Sequence, residues 1–319
     1  MRSKRTTWAL ASYAAIVFAF RYGVERSPIG LALGSQIVVA FASFALLLAP
    51  LWFFGFGAGE WLRERLSTRS LRILAGAALG IPYLVYAIPS GSFQWSMAVL
   101  MFGLPLVLAG LLESAPSSKM NWQDGFVLAA LVAVFMLKVL MGAWPIRLEA
   151  MSKLYVADVA LYLYVVVRGL PGMGYLFVPE LRDFLIGLRE WLFFLPFGVG
   201  LGTALSFTHF HARVPSGIAV AVGVLVTFLL VAIPEEMFFR GILQNLMESR
   251  CKPWIALAVA SVLFGLSHFN KGAAFNWRYV LLATIAGIFY GRAWRSRHRI
   301  LASVITHTLV DVVWAIWLK

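Results

Sequence analysis

The stretch VAIPEEMFFRG, residues 231–241, places Glu235, Glu236 and Arg240 at the end of an apolar run that carries no charge from Ser216 to Pro234. An ionised side chain at the centre of a bilayer costs about 3 kcal/mol or more, so such groups have a partner or a task. Glu236 and Arg240 stand four residues apart with the acid first, the favourable order for an ion pair on one helix face. Arg240 can thus neutralise Glu236, which leaves Glu235, one position around the helix, as a separate carboxylate.

Composition fixes the setting. Of 319 residues, 61% are hydrophobic and 13% charged, and the mean hydropathy is +0.84. Soluble domains carry about 25% charged residues. The sequence therefore predicts an all-α fold, a polytopic transmembrane helix bundle. Apolar runs lie near 8–20, 31–54, 71–89, 95–112, 125–143, 154–167, 191–208, 216–234, 254–268, 278–291 and 300–317. A perpendicular span takes about 20 residues and several runs are shorter, so about eight to eleven membrane helices are expected.

The net charge of +13 is a membrane signal and implies no nucleic-acid partner. The basic residues cluster at 2–5, 63–72 (RERLSTRSLR) and 292–299 (RAWRSRHR), short segments expected to face the cytoplasm. The start, MRSKRTTWALASYAAIVFAFR, is similar to a signal peptide but lacks a small-x-small cleavage site before Arg21, and reads as a first span. A single cysteine, Cys251, excludes an internal disulfide and a cysteine-cluster metal site. The segment 145–153 (PIRLEAMSK) marks the expected boundary between an N-terminal transmembrane bundle of unassigned role, 1–150, and a functional domain, 151–319, whose motifs fall within 216–317. Near 179–191, Leu181, Phe184, Leu185 and Leu188 recur at helical spacing while Arg182, Asp183, Arg189 and Glu190 avoid that stripe. This pattern predicts an amphipathic helix lying in the membrane interface.

Two further polar groups share the apolar C-terminal region. FGLSH (264–268) puts Phe264 and His268 on one helix face, and HTLVD (307–311) does the same for His307 and Asp311. Glu235 lies 16 residues before Cys251 and His268 lies 16 after Lys252. In an antiparallel hairpin both stand about 24 Å from the turn, and His307, eight residues past Arg299, is about 12 Å inside. Glu235, His268 and His307 are expected to converge near mid-membrane. Lys138, Asp158 and the pair His209/His211 lack comparable company. Lys138 is expected to snorkel to the interface and Asp158 to cap or pair.

A buried carboxylate with two imidazoles suits hydrolysis. Glu235 can take a proton from a water held by His268, and His307 can donate to the oxyanion formed on an attacked carbonyl. The same groups can instead hold Zn²⁺ through His268, His307 and one carboxylate, although the helix-borne HExxH signature is absent.

EEMFFR (235–240), FGLSH and HTLVD resemble, in order, the three motifs EExxxR, FxxxH and Hxxx(Asn/Asp) of the CPBP family of intramembrane proteases. That family comprises type II CAAX prenyl proteases and bacteriocin-processing and self-immunity proteins. The resemblance covers about residues 216–317. It implies an intramembrane endopeptidase acting on a membrane-associated, in some members lipidated, protein or peptide within a lipid membrane (the cytoplasmic membrane in a bacterial source). It implies Glu235 as catalytic base, His268 as its partner on the water, Glu236 and Arg240 as a supporting pair, and His307 with Asp311 at the oxyanion or in a ligand set. The prenyl-protease form carries Asn where this chain carries Asp311, and an anionic Asp311 would orient His307 rather than donate to substrate. Metal-dependent and glutamate-dependent chemistry both fit these motifs. A transporter using the buried charges as an ion relay, and a non-catalytic immunity or scaffold protein, are the other classes open to such a sequence.

Overall fold

A computed structural model describes residues 2–114, 119–144, 148–212, 215–271 and 275–319, without the side chains of 2–4 and 149. Residues 145–147 of the expected domain boundary, and most of the first basic cluster's side chains, lie outside the described residues. The described residues contain helices and no strand. We number the main helices α1 (Arg2–Glu25), α2 (Pro28–Phe54), α3 (Ala58–Arg65), α4 (Arg69–Ala87), α5 (Trp95–Glu113), α6 (Trp122–Met136), α7 (Ala150–Val167), α8 (Leu181–Ala204), α9 (Gly217–Glu248), α10 (Pro253–Leu266), α11 (Trp277–Arg295) and α12 (Ile300–Leu318).

Seven of these, α2, α4, α5, α7, α8, α9 and α12, are long and apolar enough to cross a membrane, and α6 and α10 are apolar but shorter. Helix α1, expected as the first span, is 24 residues long but is not among the seven; its Thr, Ser, Tyr and Arg residues dilute its hydropathy. Helix α6 stops at Met136, short of the apolar run that extends to 143, because the chain turns at Lys138 with φ 52°. Lys138 is exposed in that turn.

The chain divides into two compact units, 1–117 with 121–170, and 118–120 with 171–319. In the first, α7 is the most enclosed helix, 78% of its apolar window being buried, and α2 packs against α1, α4 and α7. Ser43 of α2 donates to the Pro82 carbonyl at 2.7 Å and accepts from Trp144 Nε1 at 3.0 Å. Arg63 of α3 donates to the Val167 carbonyl at 2.6 Å, satisfying an orphan acceptor at the end of α7. Asp158 sits inside α7 at 2% exposure. Its carboxylate accepts a hydrogen bond from the Leu51 backbone.

The second unit is a bundle of α8 to α12. Helix α12 packs against α8, α9 and α11, and α10 lies along α11. Glycines allow the closest crossings. A Cβ on Gly265 of α10 would fall 1.9 Å from Thr284 Oγ1 and 2.6 Å from the Val280 carbonyl of α11. One on Gly187 of α8 would meet Ile305 of α12 at 2.6 Å. Lipid offers helices no hydrophobic drive to associate, so close backbone contact of this kind holds them together.

Helix α8 begins with the expected amphipathic segment. The amphipathic stripe is present, but the helix continues to Ala204, a length of 24 residues that can cross a membrane. Leu181, Phe184, Leu185 and Leu188 turn outward, while Asp183 and Glu190 are fully buried. In lipid the apolar stripe is the outer surface, and the acids turn inward to partners. Asp183 receives Arg299 through two bonds of 2.8 Å, and this clamp joins the starts of α8 and α12.

Gly265→Val is expected to force α10 off α11 and lower stability by about 1–3 kcal/mol. Thermal unfolding in detergent checks this, and Thr284→Ala in the same chain should restore part of the loss.

Candidate active site

Helix α9 is capped by Ser216, whose side chain accepts from the Ala219 N–H at 3.2 Å. Wide i→i+5 turns run over Thr227–Ala232 and Met237–Gln244, on either side of Ile233–Glu236. Pro234 lacks an N–H and would clash in a regular interior turn. The widened turns absorb it, and such turns are frequent at functional sites. The two glutamates therefore occupy the one tight turn in this part of α9.

Glu236 is the hub. It is fully buried, and its Oε1 receives Arg240 at 3.1 Å and His307 Nδ1 at 2.7 Å. Its Oε2 accepts from Ser303. Arg240, also fully buried, donates its other terminal nitrogen to the Gly287 carbonyl of α11 at 3.0 Å. The guanidinium lies 4.6 Å from the Phe264 ring centre and 5.3 Å from that of Tyr290. These aromatic faces add cation–π attraction where its Nε has no hydrogen-bond acceptor.

Ser303, His307 and Asp311 follow at i, i+4 and i+8, so one face of α12 carries all three. A carboxylate can only accept, so His307 donates through Nδ1 to Glu236 and its Nε2 is the outward atom. Nε2 stands 3.8 Å from Glu235 Oε2 and 3.4 Å from Asp311 Oδ2. The imidazole stacks on Tyr290 at 4.5 Å, which fixes its plane. Although Glu235 and Glu236 are adjacent, Glu236 is sealed whereas the Glu235 side chain keeps 15% of its exposure.

His268 lies just past the end of α10 and is buried. Its Nδ1 contacts the Phe264 carbonyl at 2.9 Å, which requires the proton on Nδ1 and leaves Nε2 as an acceptor. The Phe264 ring touches both imidazoles, at 4.9 Å from His268 and 5.7 Å from His307. His268, His307 and Asp311 line one cavity, whose other walls are mainly apolar and aromatic, including Phe194, Tyr279, Leu282 and Trp314. Glu235 does not line it directly and adjoins it at His307 Nε2. Among the described residues, no three His, Cys, Asp or Glu side chains are disposed to hold a metal ion. His209 and His211 are exposed, and their backbone N–H groups bond to Leu318 and Trp317 at the end of α12.

Sequence reasoning missed Ser303, Tyr290 and Gly287. Ser303 alone had a signal, standing one turn before His307 on the same face. Tyr290 and Gly287 belong to α11, which carries no motif.

Residues 217–313 match the family model described as type II CAAX prenyl endopeptidase Rce1-like. That segment is a domain of the CPBP/CAAX protease family. It spans α9, α10, α11 and most of α12, and contains Glu235, Glu236, Arg240, His268, His307 and Asp311. With its long apolar helices, the chain is an integral membrane protein. Comparisons with curated proteins and with solved structures gave no match.

Arg240→Ala leaves Glu236 buried without its guanidinium and is expected to cost about 3–5 kcal/mol. Thermal unfolding in detergent measures this, and adding Glu236→Gln should recover part of the loss by removing the stranded charge.

Proposed function

We propose that this chain is a multi-pass intramembrane endopeptidase that hydrolyses a peptide bond of a membrane-associated protein or peptide by glutamate-activated water. The observation that carries the reading is the placement of His307. Glu236 holds its Nδ1 at 2.7 Å, and its Nε2 faces Glu235 and Asp311 at the wall of a cavity that His268 also lines.

In this mechanism a water sits between Glu235 and Nε2 of His268. Glu235 takes one proton as the oxygen adds to the scissile carbonyl carbon. The carbonyl π electrons move to oxygen, and His307, as the imidazolium with a proton on each ring nitrogen, donates its Nε2–H to that oxyanion. Glu235 then returns its proton to the departing nitrogen as the C–N bond breaks, giving a carboxylic acid and an amine, which settle as carboxylate and ammonium when the remaining proton passes between them. Asp311 acts as an acceptor that holds the Nε2 proton in place. The fully buried Glu236, tied to Arg240, Ser303 and His307, positions the ring and does not itself react.

The cavity wall selects the substrate's character. Its aromatic and aliphatic lining suits an apolar residue or a lipid chain beside the scissile bond.

Glu235→Gln is expected to lower cleavage by about 10²–10⁴-fold while leaving the unfolding temperature near that of the parent. Mass spectrometry of peptides released from membranes containing either form measures the activity. Equal cleavage by both forms would remove Glu235 from the mechanism. Activity that survives exhaustive chelation supports the glutamate route, and stoichiometric zinc lost together with activity would defeat it.

A further inference from the structure

The first half of α8 and the basic end of α11 enclose an open crevice of about 270 Å³, lined by Arg189, Glu190, Arg292, Arg295 and Ser296. Glu190 is fully buried and organises the crevice. Its Oε1 receives Arg189 Nε at 3.0 Å and one terminal nitrogen at 2.8 Å, and its Oε2 meets Arg292 Nε at 3.0 Å. Arg295 meets Glu248 through Nε at 3.3 Å. Each guanidinium has five N–H donors, so the acids fix the three arginines while leaving donors for a further acceptor. Three cations against Glu190 and Glu248 leave one net positive charge.

The surroundings narrow the ligand. The side chains of Arg189 and Arg292 are 51% and 45% exposed, yet they emerge among outward Leu185, Leu188, Leu192, Phe193 and Ile288. Arg292 lies 5.7 Å over the Phe193 ring. Arg189 is the ninth residue of α8, about 12 Å along its axis. Guanidinium groups at that position beside a lipid-facing stripe match a tetrahedral oxyanion attached to acyl chains.

We propose that this crevice binds the phosphate of an anionic phospholipid, whose acyl chains lie along the outward stripe of α8. A free phosphate would satisfy the arginines but make no use of the outward stripe beside them.

The test uses the full chain in nanodiscs of phosphatidylcholine with and without phosphatidylglycerol. Co-purified lipid is counted by mass spectrometry, and the unfolding temperature is recorded. The parent should retain phosphatidylglycerol selectively and unfold at a higher temperature when it is present. Arg189→Gln with Arg295→Gln, which leaves Arg292 on Glu190, should weaken retention by about tenfold or more. The exposed pair Arg65→Gln with Arg69→Gln should leave retention unchanged. If the first double variant does not fold, Arg295→Gln alone should still lower retention. Equal retention by parent and Arg295→Gln overturns the proposal, as does equal loss in the Arg65/Arg69 control. Protection by inorganic phosphate in pure phosphatidylcholine discs, equal to that given by phosphatidylglycerol, also overturns it in favour of a free-anion site. Protection by a free acidic peptide to the same degree overturns it as well.

Discussion

A guanidinium sealed among helices requires an anion at the same depth, and the Arg240–Glu236 pair, both fully buried, is the constraint on which the second unit depends. The pair holds α9 to its neighbours by different atoms. Arg240 reaches the Gly287 carbonyl of α11, while Glu236 reaches Ser303 and His307 of α12. Three helices are thus registered by one carboxylate and one guanidinium. Without either partner, a buried charge would remain with no water to solvate it, and that penalty makes the register specific.

The same carboxylate serves geometry and chemistry. By accepting from Nδ1 it selects the His307 face that meets the cavity, and the Tyr290 stack limits ring rotation. Asp311 then fits its place in this chain. An anion 3.4 Å from Nε2 can hold a proton there, where an amide would offer both an acceptor and a donor. In the proposed mechanism the donor to the oxyanion is therefore His307 alone.

Much of this was legible in the sequence, for identifiable reasons. The i,i+4 spacing of Glu236 and Arg240, and of His307 and Asp311, is geometry that a helix enforces wherever it lies. The helical nature of α8 and its stripe were equally plain. The partners of its polar face were not, because a stripe does not say where the opposite side chains go. Asp183 and Glu190 pair with Arg299 and Arg292, which lie about a hundred residues away in sequence. The number of spans was blurred for a local reason. At Lys138 a positive φ ends α6 inside what reads as one apolar run, and single-residue turns leave no trace in hydropathy. Tyr290 and Gly287 escaped because their role is a ring face and a backbone carbonyl, neither of which a residue type announces.

Adjacent glutamates with different fates show how little identity alone decides. Glu235 and Glu236 share one tight turn between two widened ones, and a rotation of about 100° per residue separates their side chains. That rotation sends Glu236 among Arg240, Ser303 and His307 Nδ1, where three donors hold it as a fixed anion. It sends Glu235 to the opposite ring nitrogen, with part of its side chain still exposed. Two identical groups set in such different surroundings divide into a structural charge and a candidate base, the arrangement by which paired carboxylates take separate roles. A single imidazole between them couples the two, so the sealed acid that holds the helices in register also sets where the reactive one must work.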